Sequence, residues 1–354
     1  MFKQPTTFVI GAGASCELGL PSGNELKEQI ASLLRTTDAN AYGFESPALL
    51  PHLQSAYKLQ SLGDVSQVRS LQGAARKIAK GLPLALSIDN FLHAHQGDVH
   101  VERLGKTAIA ACILRAEKGS KLIHHPPYHW VDDDPRPIAA GLGNPELFDT
   151  WYAPFSQLMM SQVHRADLVG AFRDLRFVIF NYDRCVEQFL WLAMQDYFDV
   201  SADAAADALS CVQFIHPYGS LGPLPWQAPQ SEDVVPFGGS DRLNPFRVGE
   251  RLRTFTESVE SEVSGLVKAA VGEAGTIIIL GFGYLDQNLE LIRPSYEYRR
   301  ATRVMSTAYK TSSANREMVE EQMRLLAHHS SRIMVDDGSC REFFDHHNLQ
   351  LSLR

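Results

Sequence analysis

Two polar segments in the sequence directly follow short apolar runs, and their residue types could carry out bond cleavage. Phe180 is followed by Asn181-Tyr182-Asp183, and Ile215 is followed by His216-Pro217-Tyr218-Gly219-Ser220. An amide both donates and accepts hydrogen bonds, a carboxylate favours a developing cation, and an imidazole exchanges protons near neutral pH. Asn181, Asp183 and His216 are therefore the candidate catalytic residues.

Two further segments are rich in glycine and could bind a phosphorylated ligand. The run Phe8-Val9-Ile10 opens into Gly11-Ala12-Gly13-Ala14-Ser15, and Leu280 is followed by Gly281-Phe282-Gly283-Tyr284-Leu285-Asp286. Small residues allow backbone N–H groups to approach a pyrophosphate closely. The third glycine of a dehydrogenase fingerprint is replaced by Cys16, and no strand ending in an acidic residue follows about 20 residues later. These departures disfavour a dehydrogenase.

Each of these features also has a purely structural interpretation. The glycines could form a tight turn, Asn181 could cap a turn, and Asp183 could cap the following helix. His216 could be a hydrogen-bonded histidine at the end of a strand. The functional interpretation depends on the occurrence of all the segments in one chain.

Six short apolar runs predict the strands that would bring these segments together. They are rich in Val, Ile and Phe and alternate little with polar residues, as is typical of parallel strands covered on both faces. In such a sheet the carboxyl ends of the strands meet at one edge, where ligands bind. The predicted strands are Thr7–Ile10, Phe177–Phe180, Val212–Ile215, Thr276–Leu280, Arg303–Thr307 and Ile333–Val335.

Helical patterns between the strands predict a doubly wound, Rossmann-like α/β fold with a mostly parallel six-stranded sheet. Ser22-Gly23-Asn24-Glu25 predicts a capping box for a helix that extends to about Arg35. Residues 1–35 and 166–354 would form the sheet domain. Residues 36–165 would form a helical insertion, packed over the carboxyl edge of the sheet as a lid or an oligomerisation surface. Within it, Trp130 and Trp151 are expected to be exposed. The helices expected outside the capping-box segment are Val65–Lys80, Ile88–Ala94, Val101–Glu117, Pro145–Val163, Asp183–Phe198, Thr256–Val271, Asn315–His328 and Arg341–His347.

Composition limits the class of protein. The chain has 354 residues with 33 Lys and Arg against 41 Asp and Glu, a formal net charge of −8. This balance gives no overall attraction to nucleic acid or anionic lipid, so we expect no direct nucleic-acid binding and no membrane association. The five scattered cysteines form no zinc-ribbon spacing, and the prolines around His124, His125 and His129 argue against a metal site. We expect no metal and a reducing cytoplasmic compartment.

The order of these motifs resembles that of the sirtuins, and more closely that of the sirtuin-like NAD⁺-consuming proteins of prokaryotic anti-phage systems. The resemblance covers residues 7 to about 290. It rests on Gly11–Ser15, Gly-Leu-Pro-Ser-Gly-x-x-Leu at 19–26, Ile88-Asp89-x-Phe91-Leu92, Phe180-Asn181-Tyr182-Asp183 with Glu187, His216 near Gly219-Ser220, and Gly281-Phe282-Gly283-x-x-Asp286.

The resemblance implies hydrolysis of NAD⁺ to nicotinamide and ADP-ribose, with NAD⁺ as the substrate. Asn181, Asp183 and His216 would be catalytic. The residues implied to bind the dinucleotide are Gly11, Ala12, Gly13, Ala14, Ser15, Asp89, Tyr218, Gly219, Ser220, Gly281, Phe282 and Asp286.

Two departures from the family pattern bear on the activity. The four-cysteine zinc module of protein deacylases and their Asp-Phe-Arg after Gly-x-Pro are missing, which disfavours peptide deacylation. The histidine that usually precedes Gly-Ser is replaced by Tyr218. Either His216 reaches the site although it lies two residues before the usual histidine position, or Tyr218 substitutes as a hydrogen-bonding group, or turnover is weak. We favour His216 as the residue that fills the usual histidine role. A module that binds NAD⁺ or ADP-ribose without turnover is the alternative.

Uncontrolled NAD⁺ hydrolysis would kill the host, so the resemblance also implies control. We expect a homo-oligomer or a separate activator, as in similar systems whose partners include a hexameric DNA-translocating ATPase or a short Argonaute.

Overall fold

The computed structural model describes residues 4–36, 65–123, 142–240 and 243–352. Six strands form one sheet in which every neighbouring pair is parallel. All six predicted strands are confirmed to within two residues at either end. Their bounds are β1 Thr6–Ile10, β2 Leu175–Ile179, β3 Gln213–Ile215, β4 Thr276–Leu280, β5 Arg303–Thr307 and β6 Arg332–Asp336.

The strand order in the sheet is β3-β2-β1-β4-β5-β6. The chain moves outward from β1 to β3 in one direction and then from β4 to β6 in the other. The order therefore reverses between β1 and β4, where Ile10 lies in register with Leu280. This is the doubly wound, Rossmann-like fold, and its crevice for ligands lies outside the carboxyl ends of these two strands.

Helices connect and cover the strands. The predicted capping box is present, because the Ser22 side chain accepts from the N–H of Glu25 while the Glu25 carboxylate accepts from the N–H of Ser22. The helices are α1 Ala12–Cys16, α2 Gly23–Leu33, α3 Val65–Gly81, α4 Ile88–Ala94, α5 Val99–Lys118, α6 Tyr152–Met160, α7 Cys185–Phe198, α8 Ala202–Leu209, α9 Pro245–Gly249, α10 Phe255–Val259, α11 Glu262–Gly272, α12 Asp286–Ile292, α13 Ser313–Arg324 and α14 Cys340–Ser352.

Two long predicted helices are divided in the structure. The segment predicted as one helix over 256–271 forms α10 and α11, because the Ser258 hydroxyl bonds the Pro217 carbonyl and the chain restarts at Ser261. The segment over 145–163 forms a 3₁₀ turn, Pro145–Asp149, followed by α6. Both breaks occur where side-chain hydrogen bonds compete with the helical backbone.

Successive strand residues point to opposite faces of the sheet and into two separate cores. Val9 and Val178 lie on one face with helices α2 to α5, whereas Phe8 and Phe177 lie on the other with α6, α7 and α14. The predicted insertion contributes to both faces, through α3 to α5 on the first and α6 on the second. It also reaches the carboxyl edge, where Asp89 lies.

The expectation that Trp151 is exposed is wrong. Its side chain is fully buried, stacks on Phe344 of α14, and donates from Nε1 to the carbonyl of Ala14 at 2.8 Å. A buried indole satisfies its single donor in this way. Trp130 and the histidines at 124, 125 and 129 lie outside the described residues.

A buried ion pair joins α5 to the residue that precedes α7. Arg184 is 1% exposed and Glu117 is fully buried, and their closest approach is 2.6 Å. Glu117 also accepts from the backbone N–H groups of Arg184 and Gly238. The guanidinium donates to three carbonyls in the loop after β3, those of Gly222, Val235 and Pro236. The pair therefore satisfies backbone groups of that loop as well as its own charges.

All five cysteines are unpaired thiols. Within the described ranges, no helix is both long enough and apolar enough to cross a bilayer.

Candidate functional site

A cavity of about 330 Å³ lies at the carboxyl edge of the sheet, at the point where the strand order reverses. Its walls come from the loops after β1, β2 and β4, the start of α2, the first turn of α4, and Tyr218 after β3. The volume is in the range of small-molecule sites. Nine of the predicted site residues line it: Gly11, Ala12, Gly13, Asp89, Asn181, Asp183, Tyr218, Gly281 and Phe282.

The other six predicted site residues are outside the lining. Ser15 and His216 contact lining residues from behind, and Ala14 is bonded to Trp151. Gly219 has a φ of +74°, and a Cβ there would lie 2.3 Å from the Arg251 carbonyl oxygen, so this glycine is needed for the turn rather than for ligand contact. Ser220 accepts from the N–H of Gly222. Asp286 is exposed at the first position of α12.

Asn181 immediately follows β2 and is 6% exposed. Its Nδ2 donates to the Gly11 carbonyl at 3.1 Å and to the Ser15 hydroxyl at 2.8 Å. Because both neighbours accept these bonds, the orientation of the amide is fixed and its oxygen is the remaining polar atom. Oδ1 is buried and has no hydrogen-bond partner among the described residues. A buried amide oxygen without a partner is costly unless a ligand or water donates to it.

Asp183 is linked to Asn181 through one hydroxyl. Ser15 donates to Asp183 Oδ1 at 3.2 Å while accepting from Asn181, and the N–H of Cys185 donates to the same oxygen at 3.1 Å. Burial raises the pKa of Asp183 to about 6, and the bonds from Cys185 and Ser15 only partly oppose it. Asp183 therefore both caps the approach to α7 and orients Asn181.

The glycines of the two glycine-rich loops pack against each other. Gly281 has a φ of +58°, and its carbonyl accepts from the N–H of Gly13 at 2.9 Å. A Cβ on Gly11 would lie 2.4 Å from the Gly281 oxygen, and one on Gly281 would lie 2.0 Å from the nitrogen of Ala14. These positions need glycine so that the β1 and β4 loops can meet. Three backbone N–H groups of the predicted phosphate loop, those of Gly11, Gly13 and Ala14, are already bonded within the protein, to the carbonyls of Leu280, Gly281 and Gly11.

His216 lies behind Asn181, away from the cavity lining. Its Nδ1 is 3.1 Å from the Asn181 carbonyl oxygen and its Nε2 is 2.6 Å from Glu187 Oε1 on α7. Burial lowers the pKa of His216, but the Glu187 charge and hydrogen bond outweigh this effect, so the pKa is raised above its usual value. The imidazole that the sequence suggested as a proton acceptor is thus paired with protein groups at both nitrogens.

Tyr218 lines the cavity. Its hydroxyl donates to Asn288 Oδ1 at 2.6 Å, and its ring packs edge-on against Phe180. Burial raises the pKa of the phenol, so it is neutral and acts as a hydrogen-bonding group rather than a base.

The sequence did not single out Tyr182 or Asn288 as site residues, and both line the cavity. Tyr182 donates its hydroxyl to Asp89, whose pKa burial raises to about 6. Tyr182 could have been predicted as a site residue, because it lies between Asn181 and Asp183, two predicted catalytic residues. Asn288 lies two residues after Asp286, the last residue of the motif Gly281-Phe282-Gly283-x-x-Asp286. The motif therefore indicated the correct part of α12, but the side chain that lines the cavity is that of Asn288 and not that of Asp286.

The described residues contain no group of three or more His, Cys, Asp or Glu side chains that could hold a metal ion. Comparison of the chain with protein-family models and with curated proteins found no match.

Proposed function

We propose that the protein is an NAD⁺ glycohydrolase that cleaves the bond between nicotinamide and ribose, releasing nicotinamide and ADP-ribose. Three features support the proposal: the order of the sequence motifs, a cavity at the reversal of a doubly wound sheet, and the groups that line it. Dinucleotides bind at such reversals in other folds of this class.

The observation that carries the proposal is the fixed carboxamide of Asn181. Both hydrogens of Nδ2 are engaged by Gly11 and Ser15, so Oδ1 is held ready to accept a hydrogen bond from a ribose hydroxyl or from the attacking water. The amide needs no reorganisation when the reaction proceeds.

The chemistry requires stabilisation of a sugar cation as neutral nicotinamide leaves. Asp89 and Asp183 line the cavity, and their negative charges favour an oxocarbenium-like ribose. Asp183 also holds Asn181 in place through Ser15. Tyr218 and Asn288 supply a further neutral hydrogen-bonding pair at the wall.

Incubation of the purified protein with NAD⁺, followed by chromatography of the products, tests the proposal. We expect free nicotinamide and ADP-ribose; a cyclic product would mean that a ribose hydroxyl attacked in place of water. Asn181→Ala should lower the rate by at least about 100-fold, whereas the exposed Asn315→Ala on α13 should not. An Asn181→Ala protein with normal turnover would refute the role of this amide.

A second candidate is a module that binds NAD⁺ or ADP-ribose without turnover. The placement of His216 behind the lining, with Tyr218 facing the cavity, favours it. Calorimetric binding of NAD⁺ with no release of nicotinamide would support this candidate over hydrolysis.

The resemblance further supports a role as a cytoplasmic effector of anti-phage defence. We propose that activity is controlled by self-assembly or by a separate activator, such as a DNA-translocating ATPase or a short Argonaute. Expression of the chain alone and with neighbouring defence genes, with cellular NAD⁺ as the readout, tests this control. NAD⁺ loss that is the same in both conditions would contradict it.

A further inference from the structure

His216 and Glu187 form a buried pair directly behind Asn181. The His216 side chain is 10% exposed and that of Glu187 is 2% exposed. The ring spans two acceptors, the backbone carbonyl of Asn181 at 3.1 Å and the carboxylate of Glu187 at 2.6 Å. It therefore connects α7 to the backbone of the residue whose amide faces the cavity.

The hydrogen-bond partners of the ring determine its protonation. A carbonyl oxygen only accepts, so Nδ1 must carry a proton toward Asn181. An ionised carboxylate also only accepts, so Nε2 must carry a second proton toward Glu187. A ring with both protons is an imidazolium cation and has no lone pair with which to accept a proton from a substrate.

The surroundings of Glu187 favour the same charge state. Its second oxygen, Oε2, is buried without a hydrogen-bond partner among the described residues. A buried carboxylate is costly unless a positive charge lies beside it. Among the described residues, Asp183 is a second acidic group near the ring, and its charge also favours the cation.

We propose that His216 is an imidazolium positioning residue, which together with Glu187 fixes the backbone of Asn181 and exchanges no proton with the substrate. The kinetic part of this inference rests on the proposed NAD⁺ hydrolysis, whereas the charge state of the ring does not. His216 thus acts through Asn181, and proton transfer falls to the carboxyl groups that line the cavity.

Nitrogen-15 NMR of the protein labelled at histidine tests the charge state in the absence of any substrate. We expect both ring nitrogens of His216 to be protonated at pH 7.5, with the signal assigned by its loss in His216→Gln. If that variant does not fold, Glu187→Gln keeps the imidazole and assigns the signal by its shift. A non-protonated ring nitrogen in the wild-type protein would overturn the proposal, whether or not the protein hydrolyses NAD⁺.

Kinetics of NAD⁺ hydrolysis then separate positioning from proton transfer. Because Glu187 raises the pKa of His216, its loss would also weaken a base at this position, so the pH profile of kcat makes the distinction. If His216 is the base, kcat should fall as the ring is protonated, and His216→Gln should remove that acidic limb; if His216 only positions Asn181, the shape of the profile should be the same in His216→Gln. If the pair positions Asn181, Glu187→Gln should lower kcat by about 10- to 100-fold, and the double variant with His216→Gln should be no slower than the slower single variant. Glu187→Asp should recover part of the rate. The exposed Glu317→Gln is the matched control. Multiplicative losses in the double variant would contradict the proposal.

Discussion

Tyr182 donates its hydroxyl hydrogen to the carboxylate of Asp89 and thereby ties the carboxyl end of β2 to the first turn of α4. The two residues are 93 positions apart in the chain. The contact places a carboxyl group from the predicted insertion on the wall of a cavity that the sheet provides. The site is thus assembled from both predicted parts of the chain.

The raised pKa of Asp89 predicts a measurable dependence of stability on pH. Its pKa is about 6 in the folded protein against 3.8 for a solvent-exposed aspartate. Below pH 3.8 the carboxyl is neutral in both states; as the pH rises through 6, the folded state must bury the charge and loses stability. Asp89→Asn should therefore raise the free energy of unfolding at pH 7.5 by about 3 kcal/mol, and by about half as much at pH 5.

Urea unfolding of the wild-type and Asp89→Asn proteins at the two pH values checks this prediction. A gain that grows as the pH falls would contradict the assigned direction of the shift. If the ionised carboxylate also stabilises the transition state, NAD⁺ hydrolysis by the wild type should decline below pH 6.

Removal of the Ser15 hydroxyl should impair the site without unfolding the protein. Ser15→Ala breaks the link between Asn181 and Asp183 and leaves one hydrogen of Nδ2 without its acceptor. We expect a loss of about 1–2 kcal/mol in the free energy of unfolding and a 10- to 100-fold fall in kcat. Ser161→Ala, at an exposed position, is the control for both measurements. An unchanged kcat would mean that Asn181 is held without Ser15.

The contact between the two glycine-rich loops should not tolerate a methyl group. In Gly281→Ala the new Cβ would meet the nitrogen of Ala14 at 2.0 Å, at a φ of +58° that disfavours alanine. We expect a loss of about 2–4 kcal/mol in the free energy of unfolding. Gly283→Ala, two residues on, meets no atom within 4 Å and should be nearly neutral. Thermal denaturation of the two variants compares them directly, and equal midpoints would contradict the close packing.

The buried pair of Arg184 and Glu117 should matter far more than an exposed pair. Arg184→Met leaves the Glu117 carboxylate buried without its cation and should cost about 3–5 kcal/mol in the free energy of unfolding. Arg316→Met, which breaks a pair with Asp337 at the surface, should cost less than about 1 kcal/mol. Chemical denaturation measures both, and similar losses would contradict the distinction.

The sheet was predictable from the sequence because each strand contains a short apolar run, and the central strands β1 and β4 are buried at every residue, whereas the edge strands β3 and β6 are partly exposed. The edge where Asn181 and Asp183 lie follows from parallel topology alone, since carboxyl ends meet there. The direction in which each side chain points at that edge does not follow from the topology. His216 and Tyr218 are two residues apart, yet a tight turn at Gly219 turns Tyr218 toward the cavity while Glu187 holds His216 behind Asn181.

Contacts between segments that are distant in the chain could not be predicted from the sequence either. Trp151 is buried because Phe344, 193 positions later, stacks on it, and no local pattern encodes that partner. The pairing of Tyr182 with Asp89 is of the same kind. Local periodicity determines elements, whereas such long-range contacts emerge only when the elements pack together.

The carboxylate of Glu17, at the end of α1, accepts the backbone N–H of Trp151 and that of Arg341. The loop that borders the cavity is therefore anchored by residues from the middle and from the last helix of the chain. During synthesis on the ribosome, this anchoring cannot be complete until α14 has emerged and docked. A nascent chain consequently carries an unfinished site until Arg341 of α14 has reached Glu17.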